Sequence, residues 1–425
     1  MDDRVGKRGS MATLYPTLSV EEALERVLAA FRSLPPERVP VLETRDRVLA
    51  EEVYADMDIP PLTNTAMDGY AVQAADTTGA SPERPARLRI VHDLAAGYTS
   101  DVAVGPGTAI RIMTGAPIPP GADAVVCFED TERDGEWLHI FKKVPVGKDT
   151  RQAGEDVQKG ALILPRGTVV RAQEVGMLAA LGHKDALVHR RPRVAILATG
   201  DEVIEIDAPW QPGKIRNANS YSNAAQVVRY GGVPLLLGIA RDDVAELTAK
   251  IQAGLEQGAD LFLTSGGVSV GDFDVVKTVL AAEGEMSFWR VRMKPGKPLA
   301  FGHIGPSASS GRRVPLLGLP GNPVSAMVSF GLFARPAILK MLGHTRLGRP
   351  AVEATLLDEV KRKDDRRHYL RVTLKEQEGE LFARLTGNQG SGILLSMVRA
   401  QGLAIIPEDM DHLPAGSRVQ VLTLD

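Results

Sequence analysis

The segment DLFLTSGGVSVGDFD, residues Asp260–Asp274, joins a short apolar run to a glycine-rich loop that ends in two aspartates. The apolar run is typical of a buried strand, and glycines and hydroxyl side chains after a strand are typical of a cradle for phosphate or another anion. Asp272 and Asp274, however, add two negative charges at the same place. An anion-binding site that contains anionic side chains of its own needs a further partner that compensates their charge. The flanking sequence indicates the fold in which this loop lies.

Strand and helix patterns alternate on both sides of this segment, over residues 191–345. This alternation predicts a mostly parallel, doubly wound α/β sheet whose ligands bind at the carboxyl ends of the strands. The strand patterns are RVAILATG, PLLLGIA, DLFLTSGG and VPLLGLPGNP, and the helix patterns are SNAAQVVRYGG, DDVAELTAKIQAGLEQG, DVVKTVLAAEG and VSAMVSFGLFARPAILKML.

Three further regions complete the chain. Ser19 and Glu22 form a capping box that starts an amphipathic helix, which a Pro-Pro pair ends. Residues 41–190 consist of short apolar runs separated by Gly and Pro, with one helix from Ala172 to Gly182, and are predicted to be mostly β. From about residue 350 alternating strand patterns return, which predicts a small all-β module.

The composition is that of an ordinary globular protein. A chain of 425 residues exceeds the size at which one core usually stops growing, so several domains are expected. With 44% hydrophobic residues, 24% charged residues and a net charge of -3, nothing favours nucleic acid or a membrane as a partner. The one basic cluster, Lys361–Lys363 with Arg366 and Arg367, is interrupted by Asp364 and Asp365 and is interpreted as a solvated charged face.

Cys127 is the only cysteine, which excludes an intrachain disulfide and favours a reducing cytoplasm. It lies in the apolar strand pattern Ala124–Phe128, so we expect a buried structural thiol rather than a nucleophile. The N-terminus has no apolar signal core, and we expect no apolar run long enough to span a bilayer. The polar first ten residues are expected to be a disordered leader or to reflect an ambiguous start site.

Four loops that follow predicted strands are polar or rich in glycine. In a doubly wound sheet such loops reach the same edge, where ligands bind. Helix N-capping explains one acidic loop equally simply, but four converging loops indicate a site. The loops are Thr199–Glu202, Arg241–Asp243, the opening segment and Gly318–Pro323.

The last of these loops has the features of an anion site at a helix start. Asn322 can cap the helix, Pro323 is at the favoured first position, and Pro320 and Gly321 shape the preceding turn. A helix N-terminus presented in this way binds phosphate or an oxyanion well. A plain helix start explains the same residues without a ligand.

A stiff basic turn precedes that loop in the segment RVRMKPGKPLAFG. Lys294 and Lys297 flank its Pro-Gly pair, and Arg290 and Arg292 come before it. Cations held beside an anion-binding helix would suit a phosphate or an oxyanion such as molybdate. Surface lysines on a turn are the alternative interpretation.

The carboxylates of these loops cannot by themselves help to bind a phosphate, because like charges repel at short range. A hard cation between them and the phosphate resolves the conflict, and Mg²⁺ usually takes one or two carboxylates plus waters and substrate phosphates. The histidines lack the spacing of a zinc site. There is no P-loop, G-x-G-x-x-G fingerprint or nucleophile elbow. The carboxylates concerned are Glu202, Asp242, Asp272 and Asp274.

Two polar turns stand out in the β-rich region. PPLTNTAMDGYAV (Pro60–Val72) contains Asp68, and RIMTGAPIPPGADAVV (Arg111–Val126) contains Thr114 directly after a strand pattern. Local turn chemistry alone could explain both segments.

Taken together, these pieces resemble the molybdopterin molybdenumtransferase (MoeA) family, which includes the E domain of gephyrin and its plant counterpart. The resemblance runs from about Leu14 to the end of the chain. The glycine-rich loop alone would be less specific, because related molybdopterin-binding domains share a version of it. The motifs, in the family's order, are NTAMDGYAV, RIMTGAPIPPGADAVV, GED, ATGDE, TSGGVSVGDFD, KPGKP and GLPGNPVSA.

The resemblance implies an elongated homodimer that transfers molybdate to adenylylated molybdopterin, releasing AMP and molybdenum cofactor, with a divalent cation that the loop carboxylates indicate is Mg²⁺. Other proteins of molybdenum cofactor biosynthesis are candidate partners. The four domains expected in each subunit are a molybdopterin-binding α/β domain (15–40 and 191–345), a linker domain (41–59 and 160–190), a β-rich domain (60–159) and a C-terminal β-barrel (346–425).

The resemblance also implies roles for individual residues. Asp242 and Asp274 are expected to hold the metal and the diphosphate. Asp272 has no such counterpart and is interpreted as the cap of the next helix. Asp68 and Thr114 would come from the partner subunit's β-rich domain. The catalytic set is Asp68, Thr114, Glu202, Asp242 and Asp274; the substrate contacts are Thr199, Gly200, Ser265, Gly266, Gly267, Ser269, Lys294, Lys297, Pro320, Gly321, Asn322 and Pro323, with Arg371 and Ser391 as oxyanion contacts.

Three positions depart from the family's usual pattern without removing any of these acids. Thr63 stands where many members have Asp, Val275 stands where an aromatic residue is common, and RNANS (216–220) replaces an Asp-containing loop. Two other functions stay open: a relative that acts on another nucleotide or adenylylates molybdopterin, and a scaffold. The β-rich insertion and the tail argue against the first, and the lack of a long partner-binding linker argues against the second.

Overall fold

The computed structural model describes residues 16–241, 243–266, 284–305 and 313–424. These residues form two compact units. The larger unit contains the described chain up to Val39, Glu43–Ala50 and the described chain from Leu187 onwards; the smaller unit contains Pro40–Leu42 and Glu51–Ala186. The predicted division into four domains is finer than these two units and stays a prediction.

A seven-stranded sheet forms the centre of the larger unit. Its last four strands, in the spatial order given below, run parallel to one another, as the sequence predicts. The strand Pro298–Ile304 runs antiparallel to both of its neighbours and extends the sheet on one side. The spatial order is Thr17–Leu18, Gly284–Val291, Pro298–Ile304, Val314–Leu319, Leu261–Ser265, Arg193–Thr199 and Val233–Ala240.

A hydrophobic core covers each face of the parallel strands. Successive side chains of a strand point to opposite faces of the sheet and therefore belong to different cores. Val194 and Ile196 belong to one hydrophobic core, and Ala195 and Leu197 belong to the other. The helices Val20–Ala29, Ala218–Arg229 and Pro323–Ser329 pack in the first core, and Val244–Glu256 packs in the second. The doubly wound α/β fold is therefore confirmed.

The first helix begins at the predicted capping box and ends earlier than predicted. The Ser19 side chain accepts a hydrogen bond from the Glu22 N–H (3.1 Å), and Glu22 Oε2 accepts one from the Ser19 N–H (2.7 Å). The helix spans Val20–Ala29 instead of continuing to the Pro-Pro pair. Beyond it, the Leu34 N–H donates to the Met341 carbonyl (2.8 Å), which ties this stretch to another helix.

The long helix after residue 322 consists of Pro323–Ser329, a π-helical turn Phe330–Ala334 and Arg335–Met341. By length and composition Pro323–Met341 could cross a membrane, with a mean hydropathy of 1.3, which corrects the expectation that no run is long enough. Because 78% of this stretch is buried within the structure, it has the character of a core helix.

The tail forms the predicted β-barrel. Arg367–Gln377 pairs with both Glu380–Leu385 and Gly402–Ile406, so that a sheet of five strands closes on itself. Ala351–Leu356 and Arg418–Thr423 complete the circle. Its small core is fully buried and includes Leu356, Val372, Ala404 and Val421.

The smaller unit is mostly β, as predicted, with one helix at Ala172–Ala180. It contains a six-stranded sheet and short strand pairs. The spatial order of the sheet is Ala124–Cys127, Gly69–Val72, Thr108–Ile112, Ala86–Leu94, Trp137–Ile140 and Thr131–Asp134; the short pairs are Asn64–Thr65 with Thr150–Arg151 and Val53–Tyr54 with Leu162–Leu164.

Cys127 is buried at the end of a strand in this sheet, as predicted. Its Sγ donates a hydrogen bond to Asp149 Oδ2 (3.1 Å). Burial, aided by the neighbouring carboxylate, raises the pKa of the thiol to about 11. Because the thiolate is the nucleophilic form, this residue is an inert structural thiol at neutral pH.

Candidate functional site

A cavity of about 900 Å³ opens at the carboxyl ends of the parallel strands in the larger unit. Thr199 and Ser265 end two of these strands, and Pro320 directly follows a third. All three residues line the cavity, as do Gln389–Gly392 from the barrel part of the unit. The cavity therefore lies where a doubly wound sheet binds its ligands.

The first and third predicted loops come very close to each other. Gly266 has φ +94°, and a Cβ atom at this position would lie 2.7 Å from the Thr199 carbonyl oxygen. Gly200 has φ +126°, and a Cβ atom there would lie 2.4 Å from Glu202 Oε2. The backbone contact at Gly266 leaves no room for a side chain, and the positive φ of Gly200 favours glycine there, so the two strand ends can approach each other closely at the cavity.

The fourth loop starts its helix as predicted, with one difference. Pro323 is at the first helical position, but the Asn322 side chain makes no capping hydrogen bond, so the predicted cap is wrong. The Val324 N–H donates instead to the Ser391 carbonyl oxygen (3.1 Å). Asn219 Nδ2 donates to the Gly321 carbonyl oxygen (2.7 Å) and holds the preceding turn.

Positive charge dominates the described lining of the cavity. Lys294 and Lys297 of the basic turn line it, together with Arg216 and Arg366. Glu202 is the one carboxylate among the described lining residues. A concave surface with this excess of cations attracts anionic ligands and raises their local concentration.

The interpretation of residues 361–367 as a solvated charged face is wrong for part of the cluster. Arg366 lines the cavity, and Arg362 is buried. Arg362 Nη1 donates to the carbonyl oxygens of Arg366 (2.6 Å) and Asp364 (3.0 Å). Backbone carbonyl oxygens thus stabilise the buried guanidinium charge by accepting its hydrogen bonds. This arrangement depends on the three-dimensional path of the segment.

Arg371 lies beneath the barrel loop that carries Ser391. The side chain is 1% exposed, and its Nε and Nη2 donate to Ser396 Oγ (3.1 Å) and to the Gly390 carbonyl (3.1 Å). Burial lowers the pKa of the guanidinium to about 10. Ser391 lines the main cavity, whereas Arg371 lines an adjoining cavity of about 410 Å³ that also reaches Lys294.

Asp68 and Thr114 meet in the smaller unit. The Thr114 N–H and Oγ both donate to Asp68 Oδ1, each at 2.7 Å. These two hydrogen bonds lower the pKa of the Asp68 carboxyl. The side chains of both residues are exposed, so the pair presents a fixed carboxylate to solvent.

Several predicted residues lie outside the described residues: Asp242, Gly267, Ser269, Asp272 and Asp274. Within the described ranges, no group of three or more His, Cys, Asp or Glu side chains could hold a metal ion. The predicted metal-binding pair therefore stays a prediction.

The sequence reasoning missed the segment 216–219, which also lines the cavity. Asn217 Oδ1 accepts a hydrogen bond from the Ser220 N–H (3.1 Å) and caps the helix Ala218–Arg229. Asn as a helix cap is a recognisable signal. The contact of Asn219 with Gly321 spans about a hundred residues of chain, and no local pattern indicates it.

Three models of protein families match consecutive parts of the chain. The MoeA N-terminal region (domain I and II) matches residues 18–182, a probable molybdopterin binding domain matches 195–340, and the MoeA C-terminal region (domain IV) matches 353–424. The cavity is lined by residues of the second and third matches.

Curated relatives align over nearly the whole chain. The chain is 36% identical to molybdopterin molybdenumtransferase 2 of Mycobacterium tuberculosis over 96% of its own length and 99% of the relative. It is 34% identical to molybdopterin molybdenumtransferase of Bacillus subtilis, over 96% and 94%. A crystal structure of the molybdopterin biosynthesis moeA protein from Pyrococcus horikoshii OT3 matches with a TM-score of 0.80 and 31% identity, over 96% of this chain and 100% of that one.

Proposed function

We propose that this chain, which belongs to the molybdopterin molybdenumtransferase (MoeA) family, inserts molybdenum from molybdate into adenylylated molybdopterin and releases AMP. Family membership supports a transferase of molybdenum cofactor biosynthesis. The observation that carries the proposal is the cavity at the strand ends, whose described lining has four cations and one carboxylate. Both substrates are anions, so this charge distribution suits them.

The cavity offers two kinds of anion contact. Pro320, Gly321 and Asn322 lead into a helix whose N-terminus is the positive end of its dipole; because Pro323 has no N–H and the Val324 N–H already donates to Ser391, the dipole rather than these two groups favours a phosphate. Lys294 and Lys297 carry mobile ammonium groups on a Pro-Gly turn, which favours a tetrahedral oxyanion. We propose that the phosphate group of the pterin lies at the helix start and that molybdate lies near the lysines.

Mg²⁺ is part of the proposal and depends on Asp242 and Asp274. Mg²⁺ usually takes one or two protein carboxylates, with waters and substrate phosphates completing its shell. Among the described residues the cavity supplies Glu202, whose exposed carboxylate fits such a site as a single ligand or through water. The bound cation would neutralise phosphate charge, and Glu202 and the lysines would orient the substrates around it.

A cytoplasmic homodimer is likewise proposed. The resemblance motivates it, and the exposed Asp68–Thr114 pair on the smaller unit is accessible to a second subunit. Other proteins of molybdenum cofactor biosynthesis are the proposed source and destination of the pterin.

Turnover tests the proposal. The purified protein is incubated with adenylylated molybdopterin and Mg²⁺, with and without molybdate, and AMP is measured by chromatography. We expect AMP release to require molybdate. Release that is independent of molybdate would contradict the proposed transfer and favour another reaction on the nucleotide.

A matched pair of lysine variants links turnover to the cavity. Lys297→Ala removes a lining cation and should slow AMP release by about tenfold or more, the effect of losing roughly 1.4 kcal/mol of transition-state stabilisation. Lys375→Ala removes an exposed lysine on a barrel strand away from the cavity lining and should leave the rate unchanged. If both substitutions changed the rate of AMP release equally, the reaction would not depend on the charge of this cavity.

A further inference from the structure

Asp364 joins two cationic elements of the larger unit through one carboxylate. Its Oδ2 lies 2.8 Å from Arg366 Nη2 and 3.5 Å from Lys294 Nζ. Its Oδ1 lies 2.8 Å from His368 Nε2. Lys294 lies on the short strand Met293–Lys294, which pairs in parallel with Arg367–His368 of the barrel, so Asp364 adds a side-chain contact beside an existing backbone pairing.

Two of these partners line the cavity. Lys294 and Arg366 are among its lining residues, and the side chain of Lys294 is half exposed. A long, half-exposed lysine side chain loses rotational freedom when it is held in one geometry, and two adjacent cations repel each other. The attraction of both cations to a carboxylate between them offsets the lost rotational freedom and the repulsion. The two cations therefore stay together at the cavity wall.

We propose that Asp364 is a positioning residue that holds Lys294 and Arg366 where the anionic substrate binds. The inference rests on the proposed function, because it names these cations as molybdate contacts. Asp364 acts through them and needs no contact with the substrate. If it only neutralised positive charge, its removal would strengthen anion binding; if it positions the cations, its removal weakens binding.

Isothermal titration calorimetry with molybdate separates these roles. Asp364→Asn removes the charge with little change of shape and should raise the Kd by about tenfold, which corresponds to about 1.4 kcal/mol. Asp364→Glu retains a carboxylate and should restore most of the affinity. An unchanged or lower Kd in Asp364→Asn would overturn the positioning role.

Glu408→Gln is the matched control. Glu408 also pairs with a barrel arginine, with Arg367 Nε–Oε2 2.9 Å and Arg367 Nη2–Oε1 3.1 Å, and neither residue lines the cavity. This change alters the net charge by the same amount as Asp364→Asn. The control should leave the Kd for molybdate unchanged, and an equal loss in both variants would overturn the inference as a general charge or stability effect.

The pKa of His368 gives a readout that does not involve molybdate. Burial lowers this pKa, and Lys294 and Arg362 lower it further, whereas the hydrogen bond and charge of Asp364 raise it. NMR titration should therefore show a lower His368 pKa in Asp364→Asn than in the wild type. An unchanged pKa would overturn the contact geometry. A lowered pKa, together with a wild-type protein that binds no molybdate, would support the contact geometry and contradict the proposed function.

Discussion

The backbone N–H of Val324 donates a hydrogen bond to the carbonyl oxygen of Ser391, at 3.1 Å. Val324 is the second residue of a helix, where backbone N–H groups have no partner within the helix itself. Ser391 belongs to a loop of the barrel part that also lines the cavity. The barrel thus completes the helix start, and the cavity is formed jointly by the α/β sheet and the barrel.

The close approach at Gly266 predicts a large cost for a methyl group there. Gly266→Ala would have to adopt φ +94° and place Cβ 2.7 Å from the Thr199 carbonyl oxygen. We expect a loss of about 2–5 kcal/mol in the free energy of unfolding, from left-handed strain of about 1–2 kcal/mol and overpacking of about 1–3 kcal/mol. Urea denaturation measures it.

Gly387→Ala is the control for this prediction. Gly387 has φ +98°, and nothing lies within 4 Å of the added Cβ, so this change should cost only the backbone strain of about 1–2 kcal/mol. Equal losses in the two variants would show that the contact with Thr199 does not limit the size of residue 266.

The hydrogen bonds from Thr114 to Asp68 predict how a substitution of Thr114 changes the pKa of Asp68. Thr114→Val removes the Oγ hydrogen bond but keeps the backbone one, so the pKa of Asp68 should rise partway towards its ordinary value. Because the folded-state pKa is depressed, the stabilisation is present above the unfolded pKa and is lost as pH falls through the folded pKa. NMR titration of the Asp68 carboxyl carbon measures the shift.

Thr114→Ser tests the same point in the opposite direction. Serine keeps a hydroxyl at the same position, so the depressed pKa of Asp68 should be retained. A depressed pKa that stays unchanged in both the Val and the Ser variant would assign the depression to the backbone N–H alone.

Because Arg371 is buried, we expect its replacement to lower the free energy of unfolding, unlike replacement of the exposed Arg384. Arg371→Met keeps much of the volume but leaves the carbonyl of Gly390 without this donor, which should lower the free energy of unfolding by about 1–3 kcal/mol. Arg384 is exposed on the adjacent strand, and Arg384→Met should change stability by less than about 0.5 kcal/mol.

Calorimetric unfolding of the two variants provides the comparison. Because the Arg371 side chain also donates to Ser396, the loop that carries Ser391 should lose order together with the stability. If Arg371→Met were as stable as the wild type, the role of this guanidinium beneath the loop would be contradicted.

Local sequence patterns were sufficient to predict the main elements. The capping box at Ser19, the barrel strands and the alternation over the described part of 191–345 are present in the structure, whereas residues 274–283 of the predicted helix DVVKTVLAAEG lie outside the described residues. The antiparallel extension of the sheet by Pro298–Ile304 was not predicted, because pairing between strands depends on long-range contacts. The first helix also ends earlier than predicted, and beyond it the Leu34 N–H donates to the Met341 carbonyl, another long-range contact.

The candidate site was predictable from local patterns where it follows strand ends; in the barrel only the family resemblance indicated Ser391, and Arg366 was missed. Thr199, Ser265 and the loop before Pro323 come together because parallel strands end at one edge. Arg366 and Asp364 are separated from Lys294 by about seventy residues. They belong to a segment whose sequence predicts a solvated charged face. Their roles arise from the contact between the barrel and the basic turn.

Locating molybdenum in the protein tests most directly whether the cavity binds the oxyanion. Crystals grown with adenylylated molybdopterin and molybdate would be measured for anomalous scattering from molybdenum. We expect the strongest peak inside the cavity of the larger unit, within contact distance of Lys294 or Lys297. A strongest peak outside that cavity, or no peak at saturating molybdate, would contradict this expectation.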